Sequence, residues 1–75
     1  MTTIRWQKMP SVTPGGKPFF WRGLLPDNQV VLLVWDRVWC AYQACFNDAC
    51  IGHYYPTVTA GKRAVQRHVD AEDAA

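Results

Sequence analysis

Cys40, Cys45, Cys50 and His53 stand in the pattern C-x4-C-x4-C-x2-H, four candidate zinc ligands within fourteen residues. Structural zinc sites draw paired ligands from tight knuckles, and residues five apart on a strand, such as Cys40 and Cys45, point to opposite faces, so the pattern argues against a metal centre. Cys40 and His53 could share one face of a hairpin, as a thiol and its base would. No third orienting group and no oxyanion loop accompanies them, and Cys40 reads better as a small buried hydrophobe. His53 and His68 have rings nearby in sequence but no carboxylate in reach, which makes them packing residues. Gly15-Gly16 lacks the following helix and the Lys-Ser/Thr pair of a phosphate loop. The acidic residues Asp27, Asp36 and Asp48 fall in turns and the others near the C-terminus, leaving no paired carboxylates. The expectation is a protein that is not an enzyme and holds neither metal nor cofactor.

What remains is surface chemistry. Lys62, Arg63 and Arg67 gather on one helical stretch, with cations near its start and Asp70, Glu72 and Asp73 near its end, opposite to what the helix dipole favours. Either Arg67 pairs with Asp70, or the three cations meet an acidic partner. Trp39 and Tyr54 are the aromatic candidates for binding, and together with Lys62, Arg63 and Arg67 they form the expected site.

These residues need elements to hold them. Thr3 to Met9 alternates Ile4 and Trp6 with Arg5 and Gln7, the period of a half-buried strand. Residues 10 to 18 hold three prolines and two glycines and form a loop with its turn at Gly15-Gly16. Phe19 to Leu24 is a second strand, with Phe19 and Trp21 on one side and Phe20, Arg22 and Leu24 on the other. Pro26-Asp27-Asn28 turns the chain into Gln29 to Trp35, apolar at every position after Gln29, as a central strand covered on both faces would be. A hairpin at Asp36-Arg37 leads to Val38 to Phe46, and a tight turn at Asn47-Asp48 to Ala49 to Tyr55. In that register Cys45 lies opposite Cys50, Tyr42 opposite His53 and Cys40 opposite Tyr55. Val38, Cys40, Tyr42, Ala44, Phe46, Ile51, His53 and Tyr55 then share the core face. Thr59 caps a helix over Ala60 to Ala71, with Ala60, Ala64, Val65, His68 and Val69 on its apolar stripe and Lys62, Arg63, Gln66 and Arg67 facing solvent. Residues 72 to 75 fray. The fold class is α+β: an antiparallel sheet of four to five strands packed by one C-terminal helix, in a single domain over residues 1 to 75.

Composition agrees. At 75 residues the chain can build only one core, and 49% hydrophobic with 13% aromatic residues takes it out of the disordered class. A net charge of +2 with scattered basic residues is little for a nucleic-acid binder. The longest strongly apolar run, Val30 to Trp35, is far too short to cross a membrane as a helix. Met1 to Pro10 has no apolar signal region, so a cytoplasmic location is expected, and with it three free thiols, an odd count that cannot pair completely. One helix covers one face of such a sheet, leaving Phe20, Trp39, Tyr54 and alternate residues of the Val30 to Trp35 strand for an interface.

The Trp-rich hairpin, the run Gly52-His53-Tyr54-Tyr55-Pro56-Thr57 and the helix opening Thr59-Ala60-Gly61-Lys62-Arg63-Ala64 resemble small phage and prophage proteins, among them anti-CRISPR proteins and inhibitors of host RNA polymerase. The resemblance spans Phe19 to Val69. It implies a binding protein of the host cytoplasm that occludes a site on a host complex, without catalysis or cofactor. Gly61 departs from the helix-favouring residue expected there and puts the first helical turn in question. The alternatives are a nucleic-acid-binding module, using sheet aromatics to stack on bases and the basic helix face to contact phosphate, and a homodimer.

Overall fold

The computed structural model describes residues 2–11, 17–46 and 49–74. Five strands form one antiparallel sheet in chain order: β1 (Arg5–Pro10), β2 (Phe19–Leu24), β3 (Val30–Asp36), β4 (Ala41–Phe46) and β5 (Ala49–Tyr55). A single helix, α1 (Val58–Ala74), follows and packs across β3, β4 and β5. This is the α+β arrangement that the alternating strands and the C-terminal stripe imply. The expected turns at Gly15-Gly16 and Asn47-Asp48 lie outside the described residues.

Cross-strand register sorts the side chains into two faces. Trp6, Gly23, Val31 and Phe46 form one row under the helix, and Trp21, Leu33 and Ala44 form the next. Val31, Leu33, Ala44 and Val65 are completely buried, with Ile4, Leu25 and Val69 closing the core. Gly61 is what lets the helix come this close. A Cβ at Gly61 would stand 2.6 Å from Leu33 Cδ1, and one at Gly23 would stand 2.7 Å from Val31 Cγ1. The first helical turn forms despite its glycine because the close approach to β3 outweighs the modest propensity cost.

Several local expectations need correction. The helix begins earlier: Thr57 is the cap, its Oγ1 accepting from the Ala60 N–H at 3.1 Å, and Thr59 lies inside the helix. It also runs past Ala71 through residue 74, with His68 Nε2 and Glu72 Oε1 3.2 Å apart one turn along, so the tail continues as helix. That contact also supplies His68 with the carboxylate neighbour the sequence reading denied it. Asp70 does not pair with Arg67. Its Oδ1 accepts from the Thr2 N–H at 3.2 Å and from Gln66 Nε2 at 3.0 Å, which ties the start of the chain to the helix.

The β3–β4 connection is not a two-residue hairpin at Asp36-Arg37. Arg37–Cys40 make the turn, with Asp36 Oδ1 accepting from the Val38 N–H at 2.9 Å and the Trp39 N–H at 3.3 Å, and Cys40 adopting a left-handed φ of 50°. Val38 and Cys40 are therefore exposed instead of lying on the core face, and His53 is exposed too. A register irregularity between Gln43 and Cys45 keeps Cys45 opposite Cys50 but sets Tyr42 opposite Tyr55 and Gln43 opposite Tyr54. Tyr42, Ala44, Phe46, Ile51 and Tyr55 remain on the helix side. β3 is central in the sheet as expected, yet it is covered on one face only, and Val34 on its other face is 39% exposed.

Candidate functional site

The face of the sheet turned away from the helix carries its own rows. Arg5, Leu24 and Val30 stand side by side, as do Arg22, Leu32, Cys45 and Cys50, and as do Val34, Gln43 and Tyr54. No described element covers them. Phe20, Leu24, Val30 and Leu32 are half-buried, while Val34 and Tyr54 are exposed. An apolar surface of this kind across three strands is what a monomer ordinarily buries against something.

Trp39 and Tyr54, the two aromatic candidates, are brought together. Their rings stack with centroids 5.3 Å apart and planes 27° from parallel, and Trp39 keeps 65% of its surface exposed. The turn explains this placement. The Asp36 carboxylate, by holding the amides of Val38 and Trp39, lays the tip of the β3–β4 hairpin toward β5, where the irregularity has moved Tyr54 to the position opposite Gln43. The result is a rigid aromatic knob at one end of the open face, with low entropy left to lose on binding.

Cys45 and Cys50, on the same face, are joined by a disulfide across the β4–β5 pair. The expectation of three free thiols is thereby corrected, because direct cross-strand opposition puts the two sulfurs in bonding reach. Cys40 alone is free, and its Sγ donates to the Arg37 carbonyl at 3.4 Å within the turn. With two of its thiols bonded to each other, the C-x4-C-x4-C-x2-H set has no ligand cluster to offer. Among the described residues no group of three or more His, Cys, Asp or Glu side chains comes together.

The helix cations divide. Lys62 is half-buried over two indoles: its Nζ sits 3.7 Å from the centre of the Trp21 ring and 5.6 Å from that of Trp6, and burial lowers its pKa from the ordinary lysine value. Lys8 over Phe19 at 4.1 Å and Lys17 over Trp35 at 4.7 Å repeat the device, so lysines roof the rings of β1, β2 and β3 on the helix side. Only Arg63 and Arg67 are exposed. They lie on the outer side of the helix layer, whereas Trp39 and Tyr54 belong to the opposite side of the sheet. The five candidate residues thus form no single site.

No family model, no curated protein and no solved structure matches this chain.

Two further residues belong to the open face and were not singled out from the sequence. Arg5 and Arg22 share a shallow cleft with Leu24, Pro26, Asn28 and Val30, and among the described residues no carboxylate lines it. The signal was present in the alternation: Arg5 falls out of phase with Ile4 and Trp6, and Arg22 falls in phase with Phe20 and Leu24. Reading the two strands side by side places both guanidiniums among exposed apolar residues.

Proposed function

We propose that this chain is a non-enzymatic binding domain that acts by covering a surface of a larger protein complex, with the helix-free face of the sheet as its docking surface. The observation that carries this reading is the uncovered centre of the sheet, where Val34 on the middle strand is exposed beside half-buried Leu32 and Phe20. Trp39 and Tyr54 serve as the aromatic anchor at its border, the residue types in which binding energy concentrates. The resemblance to phage and prophage inhibitors supports this mode of action, with a partner among complexes of a host cell and work in its cytoplasm.

A nucleic-acid role draws less support. The sheet aromatics and the exposed helix arginines point away from each other, and the centre of the open face is aliphatic, which gives bases little to stack on. Compatible with a water-exposed domain, no helix among the described residues is long and apolar enough to cross a membrane.

The test is a reconstituted complex with a partner captured from host lysate and identified. Val34→Glu and Trp39→Ala should each weaken it, the latter by about 2 kcal/mol or more for an anchor of this type. Arg63→Glu with Arg67→Glu should leave it unchanged. The reverse pattern would move the interface to the helix.

A further inference from the structure

We infer that the open face is built for an acidic as well as apolar protein segment, whose carboxylates meet Arg5 and Arg22 while its aliphatic side chains cover Leu24, Val30, Leu32 and Val34. This rests on the docking reading above and names the chemistry of the partner.

Two arginines on this face carry uncompensated charge. Arg5 stands beside Leu24, and Leu24 beside Val30, while the neighbouring row places Arg22 between Gln7 and Leu32. Both guanidiniums therefore project from the same end of an apolar surface. Among the described residues neither forms an ion pair; the one ion pair there joins Glu72 to His68 on the helix. Asp36, the acidic residue whose register position falls on this face, is already engaged by the amides of its turn. Other cations of the sheet have their rings, Lys8 on Phe19 and Lys17 on Trp35, but Arg5 and Arg22 have no such seat. A partner burying Leu24 and Val30 has to desolvate these two arginines, and only a partner that brings hydrogen-bonding anions offsets that penalty.

The same charge selects among occupants. A face-to-face pair of this chain would bury Arg5 and Arg22 of both copies, and the described carboxylates beside this face, Asp27 and Asp36, already accept from backbone amides of their own turns, so a second copy fits poorly. Nucleic acid would supply anions, but its affinity scales with the number of phosphates neutralised, and this face offers only two guanidiniums around an aliphatic floor. A peptide with carboxylates flanking aliphatic residues satisfies both chemistries, and paired guanidinium–carboxylate contacts add orientation.

The experiment is selection of a displayed random dodecapeptide library on the wild-type protein, followed by affinity measurements on the enriched peptides. Enriched sequences should pair Asp or Glu with aliphatic residues, and Arg5→Gln with Arg22→Gln should weaken them by about tenfold or more, the size of effect expected when a desolvated charge pair loses one member. The glutamine variants keep the side-chain stems, and Arg5→Glu with Arg22→Glu should abolish binding. Thermal melts accompany both. Neutral or basic enriched peptides would overturn the inference. So would binding that ignores both arginine variants but is lost with Val34→Glu, an outcome that leaves the docking face standing. Binding indifferent to Val34→Glu as well would overturn both. Tighter binding of single-stranded oligothymidylate through Arg5 and Arg22, or a concentration-dependent homodimer broken by Val34→Glu, would replace the acidic segment as occupant.

Discussion

At Gly61 and Lys62, adjacent residues of the helix have opposite relations to the sheet. Gly61 brings backbone against Leu33, and since Leu33 is fully buried it has nowhere to retreat from an added methyl. Gly61→Ala should therefore destabilise the fold by about 1–3 kcal/mol through overpacking, outweighing the roughly 1 kcal/mol that alanine gains in helix propensity; a thermal melt reads the sign. Propensity alone predicts the opposite, which is why the glycine looked like a defect when only its own helix was considered. Lys62 likewise read as a solvent-facing cation, because helical periodicity places it off the apolar stripe but cannot say that two indoles from β1 and β2 reach past the stripe's edge. Lys62→Glu would set a carboxylate against the negative ring faces of Trp21 and Trp6. It should cost about 1–2 kcal/mol in chemical denaturation, while Arg67→Glu should stay within about 0.5 kcal/mol.

At the scale of elements, β2 was legible to the residue because its alternation is clean and its turns are marked, by Pro26 with Asn28 on one side and the proline-rich loop on the other. The helix was legible in the Ala64, Val65 and Val69 part of its stripe, but His68 is exposed and Gln66 is half-buried. It was less legible at its ends, where Thr57 and Thr59 are equally good caps by type and only the hydrogen bond to Ala60 decides between them. Thr57→Ala should cost about 1 kcal/mol, and Thr59→Ala much less, in paired melts. The β4–β5 hairpin was half legible. Direct opposition of Cys45 and Cys50 follows from the short connection, but the irregularity between Gln43 and Cys45 leaves no mark in residue type, so Tyr55, expected opposite Cys40, stands two residues along, opposite Tyr42. The disulfide gives this hairpin a covalent tie that three free thiols would not. Of the three cysteines, Cys40 alone should alkylate in the native, unreduced protein, and all three after reduction and unfolding. Replacing Cys45 and Cys50 together by serine should lower stability by about 2 kcal/mol, given the short loop they close. Alkylation of all three thiols without reductant would show that the tie does not form.

For the molecule as a whole, the architecture leaves the sheet with two unlike faces. One is filled by the helix across β3 to β5 and by the Lys62, Trp6 and Trp21 cluster across β1 and β2. The other offers Phe20, Leu32, Val34 and the Trp39–Tyr54 stack, with Arg5 and Arg22 at one end and a disulfide at the other. That a sheet and one helix would leave a bare face was readable from length alone, since a helix of about twelve residues is only ~18 Å long and one helix wide, and the observed 17 residues do not change its width. Which candidates share that face was not, because it depends on the turn at Arg37–Cys40 and on the β4–β5 irregularity. Under the proposed function, binding falls to the open face of the sheet and the helix surface stays solvated. The most direct measurement is backbone amide chemical-shift mapping of the isotope-labelled protein as it is titrated with its captured partner or a selected acidic peptide. The amides of Phe20, Arg22, Leu32, Val34 and Tyr54 should shift and saturate together while those of Arg63 and Arg67 hold still. Shifts confined to Arg63, Arg67 and their helical neighbours would contradict it.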